Sequence, residues 1–184
     1  MGNDKLKKPI PETINVNVIH RGKIFDVRRN QIILDKKRTY FDLISHKGSV
    51  AVVPLLKNKK IILVKQFRYA IKKELFEIPA GLINKNESLV DCAYRELKEE
   101  TGFKANKIKK LFQTFLAPGY SDELLTIFLA SDLEKGEQSL DLDEFIEVKT
   151  FNFDEILNMI KNNEITDSKT ISAILYMNLN DNNW

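Results

Sequence analysis

Residues 81–103 read Gly-Leu-Ile-Asn-Lys-Asn-Glu-Ser-Leu-Val-Asp-Cys-Ala-Tyr-Arg-Glu-Leu-Lys-Glu-Glu-Thr-Gly-Phe. Ser88 with Asp91 three residues on forms a capping box, and Gly102 a C-terminal stop, so the spacing predicts a helix over Leu89–Thr101. At about 100° per residue, Leu89, Ala93 and Leu97 make an apolar stripe flanked by Cys92 and Val90. Asp91 and Lys98 fall on the solvated side. Glu96, Glu99 and Glu100 are i,i+3 and i,i+4 neighbours, so all three can point at one spot. Carboxylates packed this closely repel unless something positive sits among them, and hard divalent cations such as Mg²⁺ take oxygen ligands. Glu100 falls between Leu89 and Ala93, at the edge of the apolar stripe, where a carboxylate is paired or metal-bound. Arg95, four residues before Glu99, is expected to hold that carboxylate by a forked hydrogen bond.

Composition narrows the function classes. A chain of 184 residues, 43% hydrophobic, suits one domain, or one domain with a small appendage. The net charge of +3, from 29 basic and 26 acidic residues, is too even to argue for nucleic-acid binding. With one cysteine, Cys92, no intrachain disulfide is possible, and its place on the buried flank reads as a core thiol rather than a nucleophile. The expectation is a cytoplasmic soluble protein with no signal peptide and no membrane partner. His20 and His46 fall in no metal-ligand spacing and read as structural.

Outward from the helix, Thr13–His20 alternates apolar and polar as a half-buried strand does. Ile24–Val27, Gln31–Leu34 and Thr39–Ser45 read as further short strands, giving a small N-terminal antiparallel sheet within residues 1–47. A new unit, residues 48–184, begins near Gly48. Ser49–Leu56 and Lys60–Phe67 flank a tight Lys57-Asn58-Lys59 turn and read as a hairpin, with Pro54 preferring an edge or bulge. Strands are expected near Leu111–Phe115, Leu124–Ala130 and Ile146–Phe153. Helices are expected over Phe153–Ile160 and Ser168–Leu179. This mixture fits an α/β (α+β) fold, an α/β/α sandwich around a mixed sheet.

Gly81, five residues, Glu87, seven residues, then Arg95-Glu96-Leu97-x-Glu99-Glu100-x-Gly102-Phe103 resembles the Nudix box, the signature of a family that hydrolyses nucleoside diphosphates linked to another group. Phe103 stands where an aliphatic residue is more usual. Gln66-x-Arg68-Tyr69 and Glu77-x-Pro79-Ala80-Gly81 are similar to stretches of the ADP-ribose pyrophosphatase type, which also carries a proline about sixteen residues past the box glycine. Here that residue is Pro118; by spacing alone Pro118-Gly119 is a turn.

The resemblance implies the sandwich fold for roughly residues 48–180 and two or three Mg²⁺ ions (Mn²⁺ being possible) held by Glu96, Glu99, Glu100 and the Ala80 carbonyl. It implies that Arg68 clamps the diphosphate, with Leu82, Pro118, Glu123 and Phe25 as further substrate contacts. It also implies a homodimer built through the N-terminal strands. The acidic segment Ser131–Glu147 is either a solvated loop or the loop that supplies the general base. Glu144 matches that role best, with Glu99 as the fallback. Position 142 is Leu where relatives often carry another acid, which leaves the identity of the base open. The expected reaction is ADP-ribose plus water to AMP plus ribose 5-phosphate. Another nucleoside diphosphate sugar, such as GDP-mannose or UDP-glucose, and a non-catalytic nucleotide sensor are the alternatives.

Overall fold

A computed structural model describes residues 10–140 and 145–180. The chain forms two compact units, one of residues up to 47 together with 117–123, the other of residues 48–116 and from 124 onward.

The first unit is an antiparallel meander of β1 (Glu12–Arg21), β2 (Phe25–Leu34) and β3 (Lys37–His46). The sequence reading split β2 into two short strands. The polar Arg28-Arg29-Asn30 run between them stays in the ladder because both neighbours supply hydrogen bonds, with Arg29 facing Asn17 on β1 and Asp42 on β3. The Arg29 guanidinium forks onto Asp42, Nε to Oδ1 and Nη2 to Oδ2, each at 2.7 Å. Residues 117–123 close against β3: Ile44 N donates to the Tyr120 carbonyl at 2.7 Å, and Asp122 N to the Ile44 carbonyl at 3.2 Å. Among the described residues of this unit, Ile32 is the one buried hydrophobic side chain, while Val16 and Ile19 on β1 are half exposed.

The second unit holds β4 (Ser49–Pro54), β5 (Lys60–Arg68), β6 (Lys73–Glu77), β7 (Ala80–Leu82), α1 (Leu89–Thr101), β8 (Phe103–Phe115), β9 (Leu124–Lys135), β10 (Ile146–Asn152), α2 (Phe153–Lys161) and α3 (Ser168–Leu179). One sheet has the order β7-β4-β9-β8, the other β10-β5-β6. The first is mixed, since β4 runs parallel to β9 while the other pairs are antiparallel.

The sandwich follows from the period-2 pattern of the central strands. On β4, Val50 and Val52 join Cys92, Ala93 and Leu97 of α1 in one core. Ala51 and Val53 face the other core with Ile156 and Met159 of α2 and Ala173, Ile174 and Met177 of α3. On β9, Leu125, Ile127 and Leu129 alternate with Phe128 and Ala130 in the same way. Both faces being covered, β4 is buried throughout. Its register sets α1 on one side and α2 and α3 on the other, as the α/β reading expects.

Two further expectations need correction. Strands β4 and β5 do not form a hairpin; they share a single Leu55–Ile61 bridge and belong to different sheets. Pro54 ends β4 beside Ala130, so its missing N–H costs the ladder little, and Leu55 N resumes by donating to the Ala130 carbonyl at 2.8 Å. Strand β8 begins at Phe103 rather than near Leu111, because pairing with β9 holds its lysine-rich first half extended.

Candidate active site

The box helix is held in place at both ends. The Ser88 hydroxyl accepts from Asp91 N at 3.1 Å, and Gly102 closes the helix in the left-handed region at φ 75°, donating to the Lys98 carbonyl. The start of the acidic segment is tied to the same C-terminus. Gly136 N donates to the Gly102 carbonyl at 2.7 Å, Gln138 Nε2 to the Glu100 carbonyl at 2.6 Å and Ser139 N to the Glu99 carbonyl at 3.1 Å. Glu144 itself lies outside the described residues, with 141–143.

One arginine organises the helix carboxylates. Arg95 Nη1 donates to Glu96 Oε1 at 2.6 Å and to Glu99 Oε2 at 3.0 Å. The fork expected on Glu99 goes instead to Glu87, through Nε at 2.7 Å and Nη2 at 2.9 Å. Nη2 also reaches the Leu82 carbonyl, at 2.9 Å. Glu87 wins the fork because it comes from the loop before the helix and meets the guanidinium edge-on, whereas Glu99 approaches along the helix. The Arg95 hydrogen bonds, aided by Asn84 N, hold the Glu87 carboxyl down at about 2. Its three carboxylate partners raise the Arg95 pKa in turn, Glu87 foremost. Glu87 was read in the sequence only as a box position; its spacing from Arg95, just before the helix, was the available signal.

Glu100 is 3% exposed and accepts from Ala80 N at 3.2 Å, so the lead-in turn meets the helix at this carboxylate. Glu96 is 7% exposed and lies against Gly81, where any Cβ would overlap its carboxylate. Gly81 is therefore needed for close approach rather than for an unusual backbone angle. The three helix carboxylates do not point at a single spot: Glu96 and Glu99 share Arg95, and Glu100 turns to Ala80. Among the described residues, no group of three metal-ligating side chains stands ready-assembled. The donor chemistry nevertheless fits a hard cation. Two buried carboxylates one helical turn apart face a turn whose Gly81 leaves room beside one of them.

Beneath this turn lies a second cluster. Arg68 grips Glu77 in a fork, Nε to Oε1 at 2.7 Å and Nη2 to Oε2 at 2.6 Å. Lys169 Nζ also donates to Glu77 Oε2, and to Asp167 Oδ1 at 3.0 Å. Glu77 is 1% exposed and Lys169 8%. Burial pushes the Glu77 carboxyl up, but Arg68 and Lys169 outweigh it and leave its pKa lowered. In the sequence Glu77 shows only as the first residue of the Glu77-x-Pro79-Ala80-Gly81 entry and Lys169 not at all; they lie 92 positions apart, and no local pattern joins them.

The remaining expected substrate contacts divide between the units. Leu82, on β7, offers its carbonyl to Arg95, and also to the Cys92 thiol at 3.5 Å. Cys92 is fully buried, and burial, with Glu87 close by, pushes the thiol up to about 12, in keeping with a core residue. Phe25, Pro118 and Glu123 all belong to the first unit. Phe25 pairs with His46 across β2 and β3, and Glu123 Oε1 lies 3.8 Å from His46 Nδ1. His46 N donates to Asp122 Oδ1 at 2.6 Å. Pro118 is exposed in the turn between them.

A family model described as the NUDIX domain matches residues 45–174. An ADP-ribose pyrophosphatase of Bacillus subtilis (strain 168) is 37% identical over 173 residues, 92% of this chain and 94% of that protein. A methanol dehydrogenase activator of Bacillus methanolicus is 34% identical over the same shares. The crystal structure of an ADP compounds hydrolase superposes with a TM-score of 0.81 at 23% identity, covering 92% of each chain, a likeness of fold. With the helix, its lead-in turn and its arginine in place and the match running over most of the sequence, the chain is a Nudix hydrolase and belongs to the NUDIX domain family.

Proposed function

We propose that the enzyme hydrolyses the diphosphate of ADP-ribose, with water, to AMP and ribose 5-phosphate. The crowding of carboxylates on and just before α1 carries this reading. Glu87, Glu96 and Glu99 share one guanidinium, and Glu100 is buried beside them. Such a face attracts a cation, and a cation there attracts phosphate. The substrate class rests on the ADP-ribose pyrophosphatase relative.

Hydrolases of this family generally use a divalent metal. In this reading Glu96, Glu99, Glu100 and the Ala80 carbonyl hold Mg²⁺, replaceable by Mn²⁺, as two or three ions. Bound there, the metal supplies neutralisation of phosphoryl charge and a water of lowered pKa. Arg68 spends its Nε and Nη2 edge on Glu77. That leaves Nη1 to face a diphosphate oxygen, and the side chain is 42% exposed. Arg95 holds Glu96 and Glu99 in place through its Nη1 hydrogen bonds. Glu144, or failing it Glu99, takes the proton of the attacking water. Phe25, Leu82, Pro118 and Glu123 are further candidate substrate contacts in this reading.

A homodimer joined through the N-terminal strands is part of this reading, supported by the half-exposed Val16 and Ile19 on β1. So is a cytoplasmic location. No described helix is long and apolar enough to cross a membrane.

Product analysis of ADP-ribose, GDP-mannose, UDP-glucose and NADH with and without Mg²⁺ tests the proposal. Metal-dependent AMP release fastest from ADP-ribose is expected. Faster release from another compound overturns the substrate, and tight binding without turnover overturns the enzyme reading.

A further inference from the structure

Lys169 is a buried cation on α3, a helix that carries none of the residues assigned to the chemistry. It reaches Glu77 and Asp167 at the same time. Asp167 caps α3, accepting from Thr170 N at 3.0 Å and from the Thr170 hydroxyl at 2.6 Å. The same hydroxyl accepts from Ile78 N at 2.8 Å. The first turn of α3 therefore grips both ends of one short segment: the Glu77 side chain through Lys169 and the Ile78 backbone through Thr170. Two residues on, Ala80 N meets Glu100. From the other side, Arg68 closes on Glu77 with two bonds.

Burying the Glu77–Lys169 pair contributes little to stability alone, since an apolar pair of similar volume does as well or better. What the charged set gives is direction. With Arg68 alone, Glu77 could rotate about its own side chain with the guanidinium following. With Lys169 on Oε2 as well, the carboxylate plane is fixed, and the outward edge of Arg68 is fixed with it.

We infer that Lys169 is a positioning residue for diphosphate hydrolysis, acting through Glu77 to set the Arg68 guanidinium. The inference rests on the proposed reaction, in which Arg68 meets the diphosphate.

The test is a kinetic cycle on the full-length protein with ADP-ribose and Mg²⁺, comparing wild type, K169M, R68A and the K169M/R68A pair, with thermal unfolding run in parallel. K169M should lower kcat/KM by about thirtyfold, and K169R should recover most of it. In the R68A background, K169M should change kcat/KM by less than about threefold, because its route of action is already gone. An equal loss in both backgrounds overturns the inference, since a purely structural lysine acts regardless of Arg68. Should K169M fail to fold, E77Q/K169M removes both charges together. It should match R68A in kcat/KM, and wild-type activity there also overturns the inference. Absence of wild-type turnover would instead sink the proposed reaction, and the inference with it.

Discussion

Two charge clusters lie within one unit, and they are built on opposite arithmetic. On and just before α1, one guanidinium serves three carboxylates, Glu87, Glu96 and Glu99, with Glu100 buried alongside. Around Glu77, two cations, Arg68 and Lys169, meet two carboxylates, Glu77 and Asp167. The second set matches two cations with two carboxylates, and Arg68 also feels the charge of Glu100. The first is richer in carboxylates, and closely spaced, partly buried carboxylates are under repulsion that a divalent cation relieves. In the proposed reading the carboxylate-rich set is the functional feature and the Glu77 set its support. Removing a charge should act on chemistry in the first cluster and on geometry in the second.

The sharpest way to break the contrast is Glu100→Gln. It keeps the Ala80 N–H acceptor and the volume but removes charge from the carboxylate-rich set. Turnover should fall by about 10³-fold, ~4 kcal/mol of barrier, with thermal stability unchanged or raised. A loss within about tenfold would erase the distinction between the clusters. Gly81→Ala comes next. Its Cβ must displace the Glu96 carboxylate, and a misplacement on the order of 1 Å costs about 10²-fold. Circular dichroism should show the fold intact, and full activity would mean that Glu96 need not sit against the turn.

Glu87→Gln should have a smaller kinetic effect, about tenfold, because it loosens Arg95 without removing a helix carboxylate. Its clearer signature is in acid. The Glu87 carboxyl is lowered from 4.5 to about 2 by its Arg95 hydrogen bonds. Its stabilisation is therefore present above pH 4.5 and lost as pH falls through about 2. Melting temperature across that window should fall more steeply in wild type than in Glu87→Gln, and parallel curves would contradict the assignment. The smallest effect belongs to Cys92→Ser. A thiol pushed up to about 12 is neutral at working pH, so kcat should change by less than about twofold. A folded but inactive variant would overturn its reading as a core residue.

The same contrast explains what could be read in advance. The α1 cluster is local. Ser88, Gly102, the apolar stripe and the carboxylate spacing all lie within one stretch, and helix α1 falls over Leu89–Thr101 as the caps dictate. Glu100 at the stripe edge is buried as its wheel position requires. The Glu77 cluster is assembled by topology, through the pairing of β5 with β6 and the docking of α3, so Glu77 shows along the chain only as the start of the entry motif and Lys169 not at all. Strand pairing fails to show for the same reason. Apolar runs identify β4 and β5 as strands, but which strand lies beside which is set by β7, β9 and β10 arriving later. The polar first half of β8 gives no apolar signal because β9 pairs with it through the backbone.

Mn²⁺ binding by electron paramagnetic resonance, comparing wild type with Glu96→Gln/Glu100→Gln, tests the central claim most directly, since it reads the helix carboxylates without reference to any substrate. Saturable Mn²⁺ binding by wild type, displaced by Mg²⁺ and lost in the double variant, is the predicted result. Equal binding by the two proteins would contradict the claim that these carboxylates hold the metal.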